Sequence, residues 1–318
     1  MIVAIVFVVA LILSALLYPA AIGQLARARM GQLIREEGPA AHQVKAGTPT
    51  AGGVVFLLIG VVLFLIADRS RAGAFVLIGL LLGGALGFTD DFAKISGGRN
   101  LGLQARQKIV IQLISGALLG VLAVAWGFSS QLVPFDGRHM VAAGWMVLVC
   151  ALAVAGGSNA FNLADGSDGL AAGCGAISFG ALAFIAVLEH QPGAGLMPAI
   201  LAGALVGFLF YNLFPAKLFM GDTGSLALGT AMAAAAIAIG FLWYLPLLAL
   251  VFVVETASVI AQVASFKMTG KRIIRMSPLH NHFIVSGWKE TPLALWFWAG
   301  SLLAAALTLA LARPGPAA

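Results

Sequence analysis

The segment "GAFVLIGLLLGGALGFTDDFAK", Gly73 to Lys94, sets the pattern for the whole chain. Its first part contains only apolar residues and glycine, and its length is close to the roughly 20 residues with which an α-helix crosses a bilayer. Two carboxylates, Asp90 and Asp91, then stand side by side, with Lys94 one helical turn behind them. The segment predicts a membrane-spanning helix that ends in charge, and it raises the question of what the two acids do.

The composition extends this pattern to the rest of the sequence. The chain is 61% hydrophobic and 9% charged, whereas soluble domains have about 25% charged residues. We therefore predict an all-α polytopic integral membrane protein with about ten transmembrane helices in a single domain, residues 1–318. The first span is expected to be retained, since it has no basic segment before it and no cleavage site after it. The predicted spans are residues 2–22, 49–67, 73–89, 107–126, 140–158, 171–188, 196–214, 224–241, 243–265 and 292–312.

Basic residues indicate how the chain is oriented. Of the 18 Lys and Arg residues, 14 fall on the side reached after odd-numbered spans and 4 on the other side. Because positive residues concentrate in cytoplasmic loops, the first side is predicted to be cytoplasmic. The net charge of +6 does not indicate nucleic acid as a partner, because the basic residues are spread over loops between apolar segments.

Five polar clusters interrupt the apolar runs, and all five fall on the predicted cytoplasmic side. The side was assigned from basic residues in general, so this convergence is additional information. It predicts one polar site at that face of the membrane. The clusters are "KAGTPTAGG" (45–53), "TDDFAK" (89–94), "NAFNLADGSDGLAAG" (159–173), "LFMGDTGS" (218–225) and "RMSPLHNHF" (275–283).

Two of these clusters are rich in acids. The pair Asp90 and Asp91 could be a solvated helix end, but acids disfavour the negative C-terminal end of a helix, which favours a functional pair. Segment 159–173 could be a polar turn. Its two Asn, two Asp and interleaved Gly are more typical of a ligand loop, because Gly lets the backbone approach a ligand closely and Asp-Gly steps mark turns.

The "GDTGS" cluster has two open interpretations. Asp222, Thr223 or Ser225 could simply cap the apolar helix that follows. Alternatively, the free amides of that helix N-terminus could bind phosphate while Asp222 supplies an oxygen ligand to Mg²⁺.

The histidine cluster and Glu255 are also open. His280 and His282 follow a basic segment, 271–275, that suits an anionic substrate, while the alternative is a loop in contact with lipid headgroups. Zinc is disfavoured because no Cys or third His has ligand spacing. Glu255 lies inside the ninth span, where a charge costs about 2.5–3.5 kcal/mol. It is expected to be protonated, helix-breaking or functional.

Carboxylates and phosphate-binding elements at one membrane face indicate Mg²⁺-assisted phosphoryl transfer. Walker-type and dinucleotide-type glycine patterns do not occur in the sequence. One substrate would be soluble and anionic. The other would be a lipid, which explains why the site is carried by a membrane protein.

Five ordered motifs carry a resemblance to a known family. The sequences "TPTAGG", "DDFAK", "NAFNLADGSDGLA", "FMGDTGSLALG" and "KRIIRMSPLHNHF" with a following "GW" resemble those of the polyprenyl-phosphate N-acetylhexosaminyl-1-phosphate transferases. Within that family the chain is most similar to the members that use an N-acetylmuramoyl-pentapeptide donor. The resemblance runs from "GPAAHQVKAGTPT" to "GW" and includes the ten-span layout.

The resemblance implies a reaction and a place for it. UDP-N-acetylmuramoyl-pentapeptide and undecaprenyl phosphate would react with Mg²⁺ to give lipid I and UMP, in the lipid bilayer of the bacterial inner membrane and at its cytoplasmic face. Homodimers are common in the family, although the sequence itself shows no interface signal. The alternatives are a sister transferase that moves an N-acetylhexosamine-1-phosphate from a UDP-sugar and, more remotely, a transporter, which would place its ionisable groups near the middle of the bilayer.

The resemblance also assigns roles to residues. Asp222 would hold the metal, and Asp90, Asp91, Asp222, His280 and His282 would serve catalysis. The remaining assignments are substrate contacts, with Phe219 matching an aromatic that stacks on uracil and Lys94 and Arg106 facing phosphates. These substrate residues are Lys45, Thr50, Lys94, Arg106, Asn159, Asn162, Asp165, Asp168, Asn212 and Phe219.

The chain departs from the family pattern in the histidine motif. The family usually has three consecutive histidines followed by Phe and Glu, whereas this chain has His280, Asn281, His282, Phe283 and Ile284. Asn can donate and accept hydrogen bonds but cannot carry a proton or a charge. A role that rests on an imidazole at position 281 is therefore in doubt for this chain.

Overall fold

The computed structural model describes residues 1–28, 31, 47–97, 102–134, 139–141 and 143–312. Within these ranges, eight helices are long and apolar enough to cross a membrane, and two shorter apolar helices, Gly53–Asp68 and Leu196–Asn212, complete the predicted set. The predicted all-α polytopic architecture is confirmed.

The helices follow the predicted order along the chain. A π-helical turn, Phe64–Asp68, continues α2, and a 3₁₀ turn, Leu242–Tyr244, precedes α9. The bounds are α1 Ile2–Arg27, α2 Gly53–Leu63, α3 Arg71–Gly97, α4 Ala105–Trp126, α5 Met146–Ala164, α6 Leu170–Leu188, α7 Leu196–Asn212, α8 Gly221–Ile239, α9 Leu245–Leu248, α10 Leu250–Thr269, α11 Leu279–Val285 and α12 Glu290–Leu311.

Helices α3 and α5 end later than predicted, and both extensions carry site residues. Helix α3 continues beyond residue 89 to Gly97, so Asp90 and Asp91 are helical. Helix α5 begins at Met146 rather than 140 and continues to Ala164. Asn159 and Asn162, which were expected in a loop, therefore lie in the last turns of α5. Composition marked where the apolar run ends, but a helix can continue past that point into a polar region.

A short hairpin occupies the place where the fifth span was expected to begin. Strands β1 (Ser130–Leu132) and β2 (His139–Val141) pair antiparallel. The side chain of buried Gln131 ties this hairpin to the bundle: its amide donates to the carbonyl of Ile237 at 3.1 Å, and its oxygen accepts the N–H of Leu242 at 3.0 Å. The contacts of Gln131 are with residues that are distant in sequence, so the composition of this segment did not reveal them.

Helix α8 forms the centre of the bundle, with every residue from Thr223 to Ile239 buried. Small residues dominate it, which lets neighbouring backbones approach, as is usual where helices associate in a membrane. Helix α3 packs along it through glycine, and a Cβ at Gly87 would collide with the carbonyl of Asp222. Gly53 of α2 meets Gly224 in the same way. Glycine packing therefore places the acidic end of α3 against the first turn of α8.

Candidate active site

Asp90 lies at the centre of an ion-pair cluster. Its carboxylate is fully buried and contacts the ammonium groups of Lys94 at 2.6 Å and Lys108 at 3.0 Å. Its other oxygen accepts the backbone N–H of Leu103 at 2.8 Å. The segment before α4 is thus fastened to α3 by the same carboxylate that holds the two lysines.

Asp91 faces a different element, as expected for neighbours that are about 100° apart around a helix. Its carboxylate accepts the backbone N–H of Asp222 at 3.1 Å and both the N–H and the hydroxyl of Thr223, at 2.9 and 2.7 Å. These are free donors of the first turn of α8, where a negative charge is favourable. Lys94 is 3.9 Å from Asp91, so of the two adjacent acids it pairs more closely with Asp90.

Asp222 joins the cluster from the first turn of α8. One carboxylate oxygen accepts the side-chain amide of Asn162 at 2.9 Å. The other accepts Lys94 at 3.0 Å and Lys108 at 2.8 Å. Three helices and the start of α4 therefore converge on one carboxylate, and both lysines bridge Asp90 and Asp222.

The three carboxylates could hold a metal ion. Asp90, Asp91 and Asp222 each offer an oxygen, and these oxygens lie within 4.8 Å of one another. Carboxylate oxygens are the ligands that Mg²⁺ prefers, usually one or two of them together with substrate phosphates and water. The three acids outnumber the two lysines, so the cluster retains an excess of negative charge for a cation. The donor set fits a hard divalent ion.

The residues from Asn159 to Asp168 make contacts in two places: at the acidic cluster and at the segment before α8. Asn159 donates to the side-chain oxygen of Gln112 at 2.6 Å, whereas Asn162 reaches Asp222 and also donates to Ser225 at 2.8 Å. Asp165 follows the end of α5. Asp168 is buried and accepts the backbone N–H of Ala216 at 2.9 Å, so it fastens the turn between α5 and α6 to the segment before α8.

The polar residues before α2 and α8 lie next to one another. The backbones of residues 49–53 and 219–220 exchange hydrogen bonds, including Phe219 N–H to the carbonyl of Pro49 at 2.9 Å. Thr50 is buried beside Gly221 and Asp91. Asn212 accepts the N–H of Gly169 at 3.1 Å and donates to the carbonyl of Leu218 at 2.9 Å. These contacts shape the rim of the acidic cluster.

The histidine motif forms the short helix α11. His280 is buried. Glu255 of α10 accepts its backbone N–H at 3.0 Å, and a Glu255 carboxylate oxygen lies 3.1 Å from its ring Nδ1. Its Nε2 atom lies against Gly166, because a Cβ at Gly166 would collide with it. His282 lies elsewhere and accepts the backbone N–H of Arg275 at 3.2 Å. The structure therefore brings only His280 to the turn between α5 and α6.

Comparisons with known proteins show the family to which the chain belongs. The sequence model of glycosyl transferase family 4 matches residues 73–240, which include all three clustered acids. The chain belongs to glycosyl transferase family 4. Its relatives include phospho-N-acetylmuramoyl-pentapeptide-transferases from Geobacillus thermodenitrificans, 46% identical over 96% of each chain, and from Heliobacterium modesticaldum, 47% identical over 97% of each chain. One from Desulforamulus reducens is 44% identical over 93% of this chain and 90% of its own.

The range matched to glycosyl transferase family 4 covers α3 to α8 and leaves out part of the site. Thr50 lies before it, and Glu255, His280 and Glu290 lie after it. The curated relatives align over nearly the whole chain and therefore include these outer residues. Lys45, which was expected to contact substrate, lies outside the residues that the structure describes.

Two residues of this family 4 site were missed by sequence reasoning. Lys108 was counted only as a charge on one side of the membrane, and Arg106 was expected in the site; the structure places Lys108 in the cluster and Arg106 at an exposed position. The helical position of Lys108, one turn inside α4, was the available signal.

The second missed residue is Glu290. It is buried and accepts the N–H of Asp168 at 2.9 Å and the hydroxyl of Ser167 at 3.0 Å.

Asn281 stands where the family usually has histidine, and the Asn281→His variant is expected to be as active as the wild type or more active. Asn281 is buried, and its side-chain oxygen has no hydrogen-bond partner among the described residues. An imidazole would remove that unsatisfied acceptor and restore a group that can carry a proton. The measurement is the rate of UMP release by purified protein. A collapse of the rate would show that this helix is built for Asn.

Gly166 is the neighbour of His280 on the opposite turn, and the Gly166→Ala variant is expected to lose activity. The added methyl group would force the His280 ring to move, and a displacement of about 1 Å in an active site can lower the rate by up to roughly 100-fold. Gly156→Ala on α5 is the matched control, because its Cβ meets no atom within 4 Å. Equal activity of both variants would remove His280 from the working site.

Proposed function

We propose that the protein transfers phospho-N-acetylmuramoyl-pentapeptide from UDP-N-acetylmuramoyl-pentapeptide to undecaprenyl phosphate and releases lipid I and UMP. The observation that carries the chemistry is the cluster of Asp90, Asp91 and Asp222 with two bridging lysines at the ends of membrane helices. The names of the relatives that align over nearly the full chain support the choice of substrates.

The reaction exchanges one phosphoanhydride bond for another. An oxygen of the lipid phosphate bonds to the sugar-bearing phosphorus of the UDP donor, and the bond between that phosphorus and the bridging oxygen breaks. UMP leaves with the bridging oxygen and the electron pair. Phosphoryl transfer of this kind is promoted mainly by positioning and by charge stabilisation, for which a cluster of cations and carboxylates is suited.

The metal would be held by Asp222, with Asp90 beside it. A Mg²⁺ ion bound there would neutralise charge on the diphosphate and orient it. Lys94 and Lys108 each contact the carboxylates of Asp90 and Asp222, at 2.6 to 3.0 Å. The two lysines are cations within the same cluster and would meet the phosphate oxygens of the two substrates.

The two adjacent acids have separate roles in this proposal. Both oxygens of Asp91 accept hydrogen bonds from the first turn of α8, so Asp91 positions that helix. Among the described residues, Asp90 accepts one backbone N–H, pairs with Lys94 and Lys108, and contacts the Asp222 carboxyl group. Asp90 is therefore the acid available to orient the lipid phosphate and to take its proton.

The site is proposed to face the cytoplasm in a bacterial inner membrane. The nucleotide donor is soluble and charged, so it must reach the site from water, and the excess of basic residues on the same side supports this orientation.

A transfer assay tests the proposal directly. Purified protein is incubated with Mg²⁺, undecaprenyl phosphate and either UDP-N-acetylmuramoyl-pentapeptide or a UDP-N-acetylhexosamine. We expect UMP release with the first donor. UMP release only with the second donor would show that the protein is the sister transferase. The altered histidine motif, with Asn281 and Ile284, is the reason for testing that alternative.

A further inference from the structure

Glu255 is a fully buried acid on α10, an apolar helix long enough to span a membrane. A charged side chain in such a helix is expensive and is usually paired or functional. Here one carboxylate oxygen accepts the backbone N–H of His280 at 3.0 Å, and the other lies 3.1 Å from the ring Nδ1. The acid is therefore aimed at one residue, His280.

The contact determines how the His280 ring is used. A carboxylate beside Nδ1 places a proton on that nitrogen and fixes the orientation of the ring. The opposite nitrogen, Nε2, is buried and has no hydrogen-bond partner among the described residues. It lies against Gly166, on the turn that joins α5, which carries Asn162, to α6.

We infer that Glu255 is a positioning residue that holds the Nδ1–H of His280 so that Nε2 is presented at the Gly166 turn to a polar group of the nucleotide-sugar donor. The inference rests on the proposed function for the identity of that donor. The arrangement of Glu255, His280 and Gly166 stands on the geometry of the described residues.

A purely structural role for Glu255 would be to anchor the chain before α11, and α10 already contains a residue with that role. Gln262 lies two helical turns further along, and its side-chain oxygen accepts the N–H groups of Ile273 at 2.9 Å and Ile274 at 3.1 Å. Its hydrogen bonds anchor the segment without reaching the His280 ring. Gln262→Ala is therefore the matched control for Glu255→Gln.

The first measurement uses the wild-type protein and does not require turnover. Protein labelled with ¹⁵N-histidine is reconstituted in bilayers, and the His280 signals are assigned by their loss in His280→Asn. We expect a protonated Nδ1 in the wild type and in Gln262→Ala. In Glu255→Gln the amide can donate to Nδ1, so the proton is expected to move to Nε2. An unprotonated Nδ1 in the wild type would overturn the inference even if no variant folds.

The second measurement is a double-mutant cycle on activity. Glu255→Gln is expected to lower kcat/KM for the UDP donor by roughly 10- to 100-fold, by analogy with the loss seen when a carboxylate that orients a metal-ligating histidine is removed. In a His280→Asn background the same change is expected to have almost no further effect, because Glu255 acts through the ring. An equal loss in both backgrounds would overturn the inference. Absence of UMP release by the wild type would instead refute the proposed function and leave the ¹⁵N result standing.

Discussion

The Asp222→Asn variant is expected to lose nearly all transferase activity, by roughly 10³-fold or more, because a bound metal supplies several kcal/mol of charge stabilisation in the transition state. Asn keeps the oxygen that accepts the amide of Asn162 but loses the charge that holds Lys94 and Lys108. The change therefore weakens cation binding with little loss of packing. Initial rates at increasing Mg²⁺ concentration measure the effect.

The matched control for Asp222→Asn is the Asp68→Asn variant. Asp68 is a partly buried carboxylate at the end of the π-helical turn, where it accepts the N–H of Ser70 at 3.1 Å, and it has no contact with the acidic cluster among the described residues. It is expected to remain close to wild-type activity. Normal turnover by Asp222→Asn, or an equal loss in both variants, would make the metal assignment wrong.

Replacing Lys108 by Met is expected to give the second largest loss, roughly 10²- to 10³-fold in kcat, a range measured when one preorganised charge-stabilising donor is removed from an active site. Lys108 contacts both Asp90 and Asp222, so its loss leaves two acids with one bridging cation. Methionine preserves much of the apolar stem. Steady-state kinetics with both substrates would measure the change.

The comparison with Arg106→Met tests whether Arg106, as expected from the sequence, or Lys108, as found in the structure, meets the substrate phosphates. The sequence resemblance placed Arg106 at the phosphates, whereas the structure shows Arg106 exposed and Lys108 in the cluster. We expect Arg106→Met to have much the smaller effect. If Arg106→Met costs as much as Lys108→Met, the assignment from the sequence was right and Arg106 reaches the substrate.

The fold was largely predictable because a bilayer leaves few choices for an apolar segment. Ten apolar segments were found, and most of their bounds agree with the helices. The errors arose where polar and apolar regions meet. Helix α3 continues through Asp90 and Asp91, and α5 continues through Asn159 and Asn162. These polar groups find partners in the lysines, in Gln112 and in the first turn of α8. Such partners are distant in sequence, so composition does not reveal them.

The candidate site was predictable as a set of clusters but not as a set of contacts. Sequence analysis placed five clusters on one side. Four of them meet around Gly221 and Asp222, and the fifth, with His280, contacts the turn at Gly166. Glu255 remained open between three readings, and Glu290 was not singled out at all. Each is a single acid at the edge of or within an apolar run, and only the fold shows that it supports a loop through hydrogen bonds.

The contact between Gly87 and the carbonyl of Asp222 has a consequence for ligand recognition. Backbone atoms, rather than adjustable side chains, set the separation between α3 and α8, so the distance between these two acid-bearing helices is fixed. A bulkier donor or an inhibitor cannot widen it without separating the bundle. We therefore expect adaptation to different sugars or peptides to occur at α11, which is held by the side chain of Glu255 in α10 and can be reshaped one residue at a time.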